Sequence, residues 1–360
     1  MSVINSTPLE ALAFPQLNML GRRIGVLSVR GTFKLTQSGK LKFADPQPPF
    51  QMTDEYADDP LTSALLKPTE LVPFKTTTDI TYMGSTYAPG GKAAKSWSCG
   101  LSIGSVDKNL RVYGPRVWER KKAKNPTNLV KKKEKKTYDW TLSEAQPTDQ
   151  ISLDWTKAYG GKIPSDDPES LDACNKNLMG CGIINEHIDI DVQSVPAPQI
   201  EAKDTPILDW KKEYEPEGFA PIPPFWRQRQ QYTGTCDDAW LENRHPLLPV
   251  DFDFRFWQYA HPDLQTDTYL KGGESFELRN LIYGHESFKG ELPNINLGMR
   301  IKRANGSYDV GTMTLDGVHF DMRPEQGTVS LTWRTAFPWE DGEGQPELFL
   351  GATVHDKEAA

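Results

Sequence analysis

Asp251 and Asp253 stand two apart in the run Asp-Phe-Asp-Phe. On a strand, that spacing puts both carboxylates on one face and both rings on the other. Such a pair could serve a β-rich hydrolase or carbohydrate-active enzyme as its two acids, or could ligate calcium. Cys236 and His245 lie close by and have the residue types of a nucleophile and its base, with an Asp to orient them. The neighbours weaken both readings. Arg227, Arg229, Arg244 and Arg255 are ready counter-ions for the acids. Triad members meet in space, so closeness along the chain supports nothing. The six histidines, at 187, 245, 261, 285, 319 and 355, have neither HxH nor HExxH spacing, and no phosphate-cradling GxxxxGK[ST] loop is present. The expectation is a chain with no catalytic residue, no metal site and no cofactor.

What stands out instead is a crowding of Arg, Asp and Trp. Trp226, Arg229, Asp237, Trp240, Arg244, Asp251, Asp253 and Arg255 fall within one short block. Gly114-Pro-Arg116-Val-Trp118 repeats the theme earlier in the chain. Arg makes planar bidentate hydrogen bonds and stacks on rings. The block is therefore expected to be a buried ionic and aromatic keystone of the fold, bordering a partner groove. On that reading Arg244→Ala or Asp253→Ala would strand a buried charge.

The elements that must position these residues are short. Arg23 to Leu35 and Lys40 to Phe43, around Ser38-Gly39, read as a β-hairpin. Asp79 to Met83, Ala94 to Ile103 and Asn109 to Tyr113 read as further strands, with a turn at Asp107-Lys-Asn109. Ile295 to Lys302, Tyr308 to Thr314, Gly317 to Met322 and Thr328 to Phe337 form a second run, with turns at Asn305-Gly306 and Gln326-Gly327. Helices are expected only at Pro8 to Ala13, Thr62 to Leu66 and Asp237 to Asn243. The fold class is thus mainly β: antiparallel sandwich or barrel-like lobes with long irregular loops and few short helices. One domain over 1–340 is expected, divided into lobes at about 1–160 and 161–340, followed by a tail over 341–360.

Composition agrees with a soluble β protein. Hydrophobic residues are 37% of 360, and ten tryptophans point to a core built on rings. Mean hydropathy is −0.58, and no apolar stretch approaches the ~20 residues of a membrane helix. No secretory signal is read at the start of the sequence. Four scattered cysteines suggest reduced thiols rather than a disulfide framework. The net charge of −8 argues against nucleic-acid binding. It hides a basic run from Glu119 to Lys136 with a local balance of +7, leaving −15 elsewhere. Residues 120–136 are expected to form a Lys-rich mobile loop that meets an acidic partner.

Taken in order, the motifs resemble one family. They run from Ile24-Gly-Val-Leu-Ser-Val-Arg-Gly-Thr-Phe33 through Pro73-Phe-Lys75, Thr78-Asp79, Gly84 and Tyr87-Ala-Pro-Gly90. Gly114-Pro-Arg116-Val-Trp118, Ala158-Tyr-Gly160-Gly161 and Asn177-Leu-Met-Gly180-Cys-Gly182 follow. Gly218-Phe-Ala-Pro-Ile222, the Trp226 to Phe256 block, Pro262-Asp263, Gln265, Gly272 and Trp333-Arg334 complete the set. The set resembles the type VI secretion adaptor or accessory family, catalogued as domain of unknown function 2169. Three features depart from that pattern: Cys236 in place of an aromatic, Leu178 in place of Pro, and the Lys-rich insertion. The resemblance implies a cytoplasmic bacterial adaptor or chaperone. It would bind a toxic effector, through that effector's N-terminal region, and help load it onto the VgrG spike. A structural component of a phage-like particle is the other non-enzymatic reading.

Overall fold

The computed structural model describes residues 1–122, 138–163, 173–185, 188, 192–339 and 344–354. Most of the Lys-rich run, 123–136, therefore lies outside the described residues. Its first residues, Arg120 and Lys121, continue the strand Val117–Lys122.

The chain is mainly β, with short helices only and no closed barrel among the described residues. Its central sheet follows the order Glu10–Leu17, Arg23–Leu35, Thr328–Pro338, Thr314–Asp321, Asp79–Met83, with Leu41–Phe43 added beside Arg23–Leu35. The strand Arg23–Leu35 does not alternate between buried and exposed; nine consecutive residues are buried. Leu27, Val29 and Phe33 enter the apolar core. Ser28, Arg30 and Thr32 face the other way and are buried too. There the segment around Pro48 and Glu70 covers them: Arg30 pairs with Glu70 and donates to the Pro49 carbonyl (2.8 Å).

A second sheet runs Ile200–Ala202, Val106–Tyr113, Ser96–Ile103, Ser275–Ile282, His285–Glu291. A third runs Ser2–Asn5, Glu347–Val354, Ile295–Lys302, Tyr308–Thr312. The inner faces of all three share one cluster, in which Phe276 meets Phe320 at 5.1 Å and the Tyr82 hydroxyl donates to the Leu281 carbonyl (2.7 Å). A smaller cluster around Trp118, Trp140 and Tyr159 fills the space under Val117–Lys122 and Tyr138–Leu142.

Several expectations are corrected. The chain is not split near residue 160, because both large sheets interleave strands from its two halves: Thr328–Pro338 pairs with Arg23–Leu35, and Ser275–Ile282 pairs with Ser96–Ile103. Of the expected helix Pro8 to Ala13, residues 10–13 belong to the strand Glu10–Leu17, and no helix forms over Thr62 to Leu66, where Leu65–Lys67 is a strand. The turn after Ile103 falls at Gly104-Ser105, where Gly104 supplies a φ of +57, and not at Asp107–Asn109. The expected tail contains Glu347–Val354, an inner strand of the third sheet. The helix Asp238–Asn243 forms where expected, capped by the Asp237 carboxylate.

Candidate partner-binding surface

The Trp226–Phe256 block folds into an irregular lobe, buried at its root and exposed at its tip. Trp226 and Arg229 form the root. Trp226 is fully buried and packs edge-to-face on Trp155 at 5.4 Å. Arg229 finds carbonyls rather than a carboxylate: Nη1 donates to Ile222 (3.0 Å) and Nε to Phe256 (2.9 Å), with the Phe256 ring 5.0 Å away. Burial pushes its pKa down to about 10.

The remaining candidates in the block do not make a buried ionic keystone, and that expectation is overturned. Asp251 is exposed and accepts from the Thr235 backbone N–H (2.9 Å) and hydroxyl (2.7 Å). Asp253 pairs with exposed Arg255, two residues on, and caps a 3-10 turn at Phe254–Trp257 instead of sitting in a strand. Hydrogen bonds from Thr235 and from Arg255 hold the two carboxyls below the usual range, so both are ionised at neutral pH. Asp237 accepts from the Trp240 N–H (2.8 Å), and Trp240 Nε1 donates to the Leu247 carbonyl (2.9 Å). Arg244 is half-buried and donates to the carbonyls of Leu248 and of Met19, the latter at 2.7 Å. Exposed Cys236 lies 4.0 Å from the Thr233 carbonyl, while His245 turns its ring onto Trp240. The physical reason is local: short polar side chains in a loop reach nearby backbone before they reach each other.

What the lobe does present is a group of half-buried rings. Phe252 is the hub, with Phe254 and Phe256 at 5.6 Å and Trp257 at 6.3 Å. Phe74, from a distant loop, meets Phe254 edge-to-face at 5.7 Å. Arg255 lies 4.6 Å from the Tyr232 ring. Val250 is 78% exposed and Leu241 58%. Leu20, 75% exposed, belongs to the 18–22 turn that Arg244 anchors. Rings, Arg and aliphatic side chains left open to water together are the composition of a protein interface core.

Arg116 and Trp118 are both buried, away from this lobe. Arg116 pairs with Glu201, donates to the Pro198 carbonyl (2.7 Å) and stacks 4.0 Å from the Tyr113 ring. Trp118 belongs to the smaller cluster.

The densest buried ionic site lies elsewhere, and sequence reading missed it. Asp79 is wholly buried and accepts from Lys75 Nζ (2.7 Å), Gln258 Nε2 (3.1 Å) and the N–H groups of Tyr259 (3.0 Å) and Ala260 (3.3 Å). The Lys75 ammonium sits 3.6 Å from the Tyr259 ring. Buried Asp316 pairs with buried Arg334 on the neighbouring strands. The signal was present in Pro73-Phe-Lys75, Thr78-Asp79 and Trp333-Arg334, motifs too far apart in sequence to read as one site. Glu217, His261 and Asp263 also converge, with ligand atoms within 4.8 Å of one another. Lys108 already supplies the cation there, at 2.5 Å from Glu217 and 3.0 Å from Asp263. Burial, with Lys108 beside it, pushes His261 down to about 3.

Residues 20–334 match a family described as an uncharacterized protein conserved in bacteria, DUF2169. The chain belongs to this bacterial family. Neither the curated proteins nor the solved structures give a match. The match covers the Asp79 site, the Arg116–Glu201 pair and the whole aromatic lobe, and ends at Arg334. No helix among the described residues is long and apolar enough to cross a membrane.

Proposed function

We propose that the chain is a cytoplasmic adaptor of type VI secretion that binds a toxic effector by its N-terminal region and helps load it onto VgrG. The observation that carries this reading is the half-buried ring cluster centred on Phe252 and extended by Phe74, on a lobe that also exposes Leu241 and Val250. Burying such a surface is the main source of affinity in protein complexes. The motif resemblance supplies the identity of the partners. The hydrolase reading loses support here, because Asp251 and Asp253 are both committed to neighbours and neither is poised to deliver a proton.

The test is co-purification of the tagged chain with type VI effectors and VgrG proteins of the same bacterium. Both should be captured by the wild type. Val250→Asp should release the effector at unchanged melting temperature, and Phe254→Ala should release it while the chain stays folded. Empty pull-downs with folded wild-type protein would remove the adaptor reading. Permanent incorporation into purified spikes would favour the structural-component reading.

A further inference from the structure

Most of the sheet edges among the described residues are covered or short. Along Asp79–Met83, the Tyr82 N–H donates to the Phe219 carbonyl (2.9 Å), and Asp79 bridges to Gln265. His285–Glu291 carries several charges, and the Gly39 turn abuts it so closely that a Cβ on Gly39 would lie 2.0 Å from the Lys289 carbonyl oxygen. Ile200–Ala202 has three residues and is bridged at Ile200 by Ala158 and at Ala202 by Thr205. The strand Tyr308–Thr312 differs. It ends the third sheet, pairs only with Ile295–Lys302, and has no described strand on its other side. Its sequence, Tyr-Asp-Val-Gly-Thr, contains neither the Lys nor the Pro that commonly guards an edge, and its lone acid, Asp309, is tied to Arg303.

The outer face of the same sheet adds side-chain chemistry. The register lines up Ile4 with Phe349, Phe349 with Arg300, and Arg300 with Val310. This row crosses the sheet and ends at the open edge, where Val310 is 77% exposed and Tyr308 51%. In the next row Gly351 and Gly298 leave the backbone bare: a Cβ on either would have no neighbour closer than 4.0 Å. The Arg300 guanidinium lies near both Tyr308 (5.8 Å) and Phe349 (5.9 Å), and no carboxylate pairs with it among the described residues.

We infer that Tyr308–Thr312 is a strand-addition site. It takes an extended segment of a partner protein, with an aliphatic side chain opposite Val310 and a carboxylate opposite Tyr308, within reach of Arg300. The backbone groups of the edge supply affinity, and the outer-face row supplies selectivity. Charge selects a partner over a second copy of this chain. A two-fold pairing centred on Val310 would bring a second Arg300 to the same face and no acid to meet it. The site is separate from the Phe252 surface and does not depend on its assignment.

The probe is the heptapeptide Thr-Ile-Thr-Val-Ser-Glu-Thr. Paired antiparallel, it places Ile, Val and Glu opposite Thr312, Val310 and Tyr308; a control carries Lys for Glu. Hydrogen exchange of the full chain should slow at 308–312 on adding the first peptide, and the Glu form should bind at least several-fold more tightly than the Lys form. Val310→Lys, a change at an exposed position, should abolish the protection, and Arg300→Ala should erase the preference for Glu. Phe254→Ala should leave both intact. The inference fails if neither peptide slows exchange at millimolar concentration, or if Val310→Lys keeps the protection. It fails equally if the wild type dimerises through this edge, since the occupant is then a second copy.

Discussion

Asp79 and Asp253 are both Asp beside a cation, and their surroundings give them different weights. Among the described residues Asp79 is the only hydrogen-bond acceptor for the buried Lys75 ammonium, and it also holds the Gln258 side chain and the Tyr259–Ala260 backbone. Removing it strands Lys75 in the interior without its carboxylate, so Asp79→Ala should cost about 3–5 kcal/mol in denaturant unfolding. Asp253 meets an exposed Arg two residues away, and Asp253→Ala should cost no more than about 1 kcal/mol. A double change of Lys75→Met with Asp79→Leu should recover much of the first loss, because the stranded charge goes with it. Equal losses for Asp79→Ala and Asp253→Ala would contradict this assignment. Sequence reading assigned the buried charge to Asp253 and met Asp79 only as part of the Thr78-Asp79 motif. Density of charge along the chain marks a polar loop; a buried pair is marked by charges among apolar residues, as in Val-Pro-Phe-Lys75 and Leu-Thr-Trp-Arg334.

Among the elements, strands with strong β-branched and aromatic content were legible. Arg23–Leu35, Asp79–Met83 and Ile295–Lys302 have the bounds their sequences suggest. The hairpin Ser275–Glu291 was not legible, because polar and charged residues interrupt its alternation and a bulge falls between Arg279 and Ile282. A short helix is expected over Pro8 to Ala13, but the pairing of Glu10 to Ala13 with Leu27 to Arg30 makes most of it strand. One glycine shows how tightly these strands are built. A Cβ on Gly25 would lie 2.2 Å from the ring of Phe337, its cross-strand partner. Gly25→Ala should therefore destabilise by about 1–3 kcal/mol through overpacking, and Phe337→Leu should restore part of that loss in the double variant. Additive losses in a double-mutant cycle would show that the ring does not rest on this glycine.

At the scale of the whole molecule, buried imidazoles should set the acid limit of stability. His319 receives or gives a hydrogen bond at Thr81 (2.8 Å), its Nε2 is buried without a partner, and burial pushes it down to about 4. Neutral His319 is compatible with the fold, whereas the unfolded chain takes up the proton near 6.5. Its contribution is complete above that value and fades as pH falls toward 4. His261 acts in the same direction. Buried Glu70, Glu201 and Asp316, held above the usual carboxylate range by burial, act in the opposite one. A comparison with His319→Gln isolates the imidazole. Between pH 7 and pH 5 the wild type should lose up to about 2 kcal/mol more than the variant. Parallel stability curves would show that His319 is protonated in the fold.

The third sheet also constrains when the molecule can be completed. Among the described residues Ser2–Asn5 pairs only with Glu347–Val354, with Ser2 opposite Glu347, so an early strand waits for one far downstream. At roughly 5–20 residues per second of synthesis, that wait is on the order of tens of seconds. Until then a nascent chain holds the inner face of Ile295–Lys302 without the strand that should lie beside it. Closure across such a sequence separation is slow by nature. Completion of the third sheet therefore waits on Glu347–Val354, and the Tyr308–Thr312 edge takes its final setting only once that strand is in place.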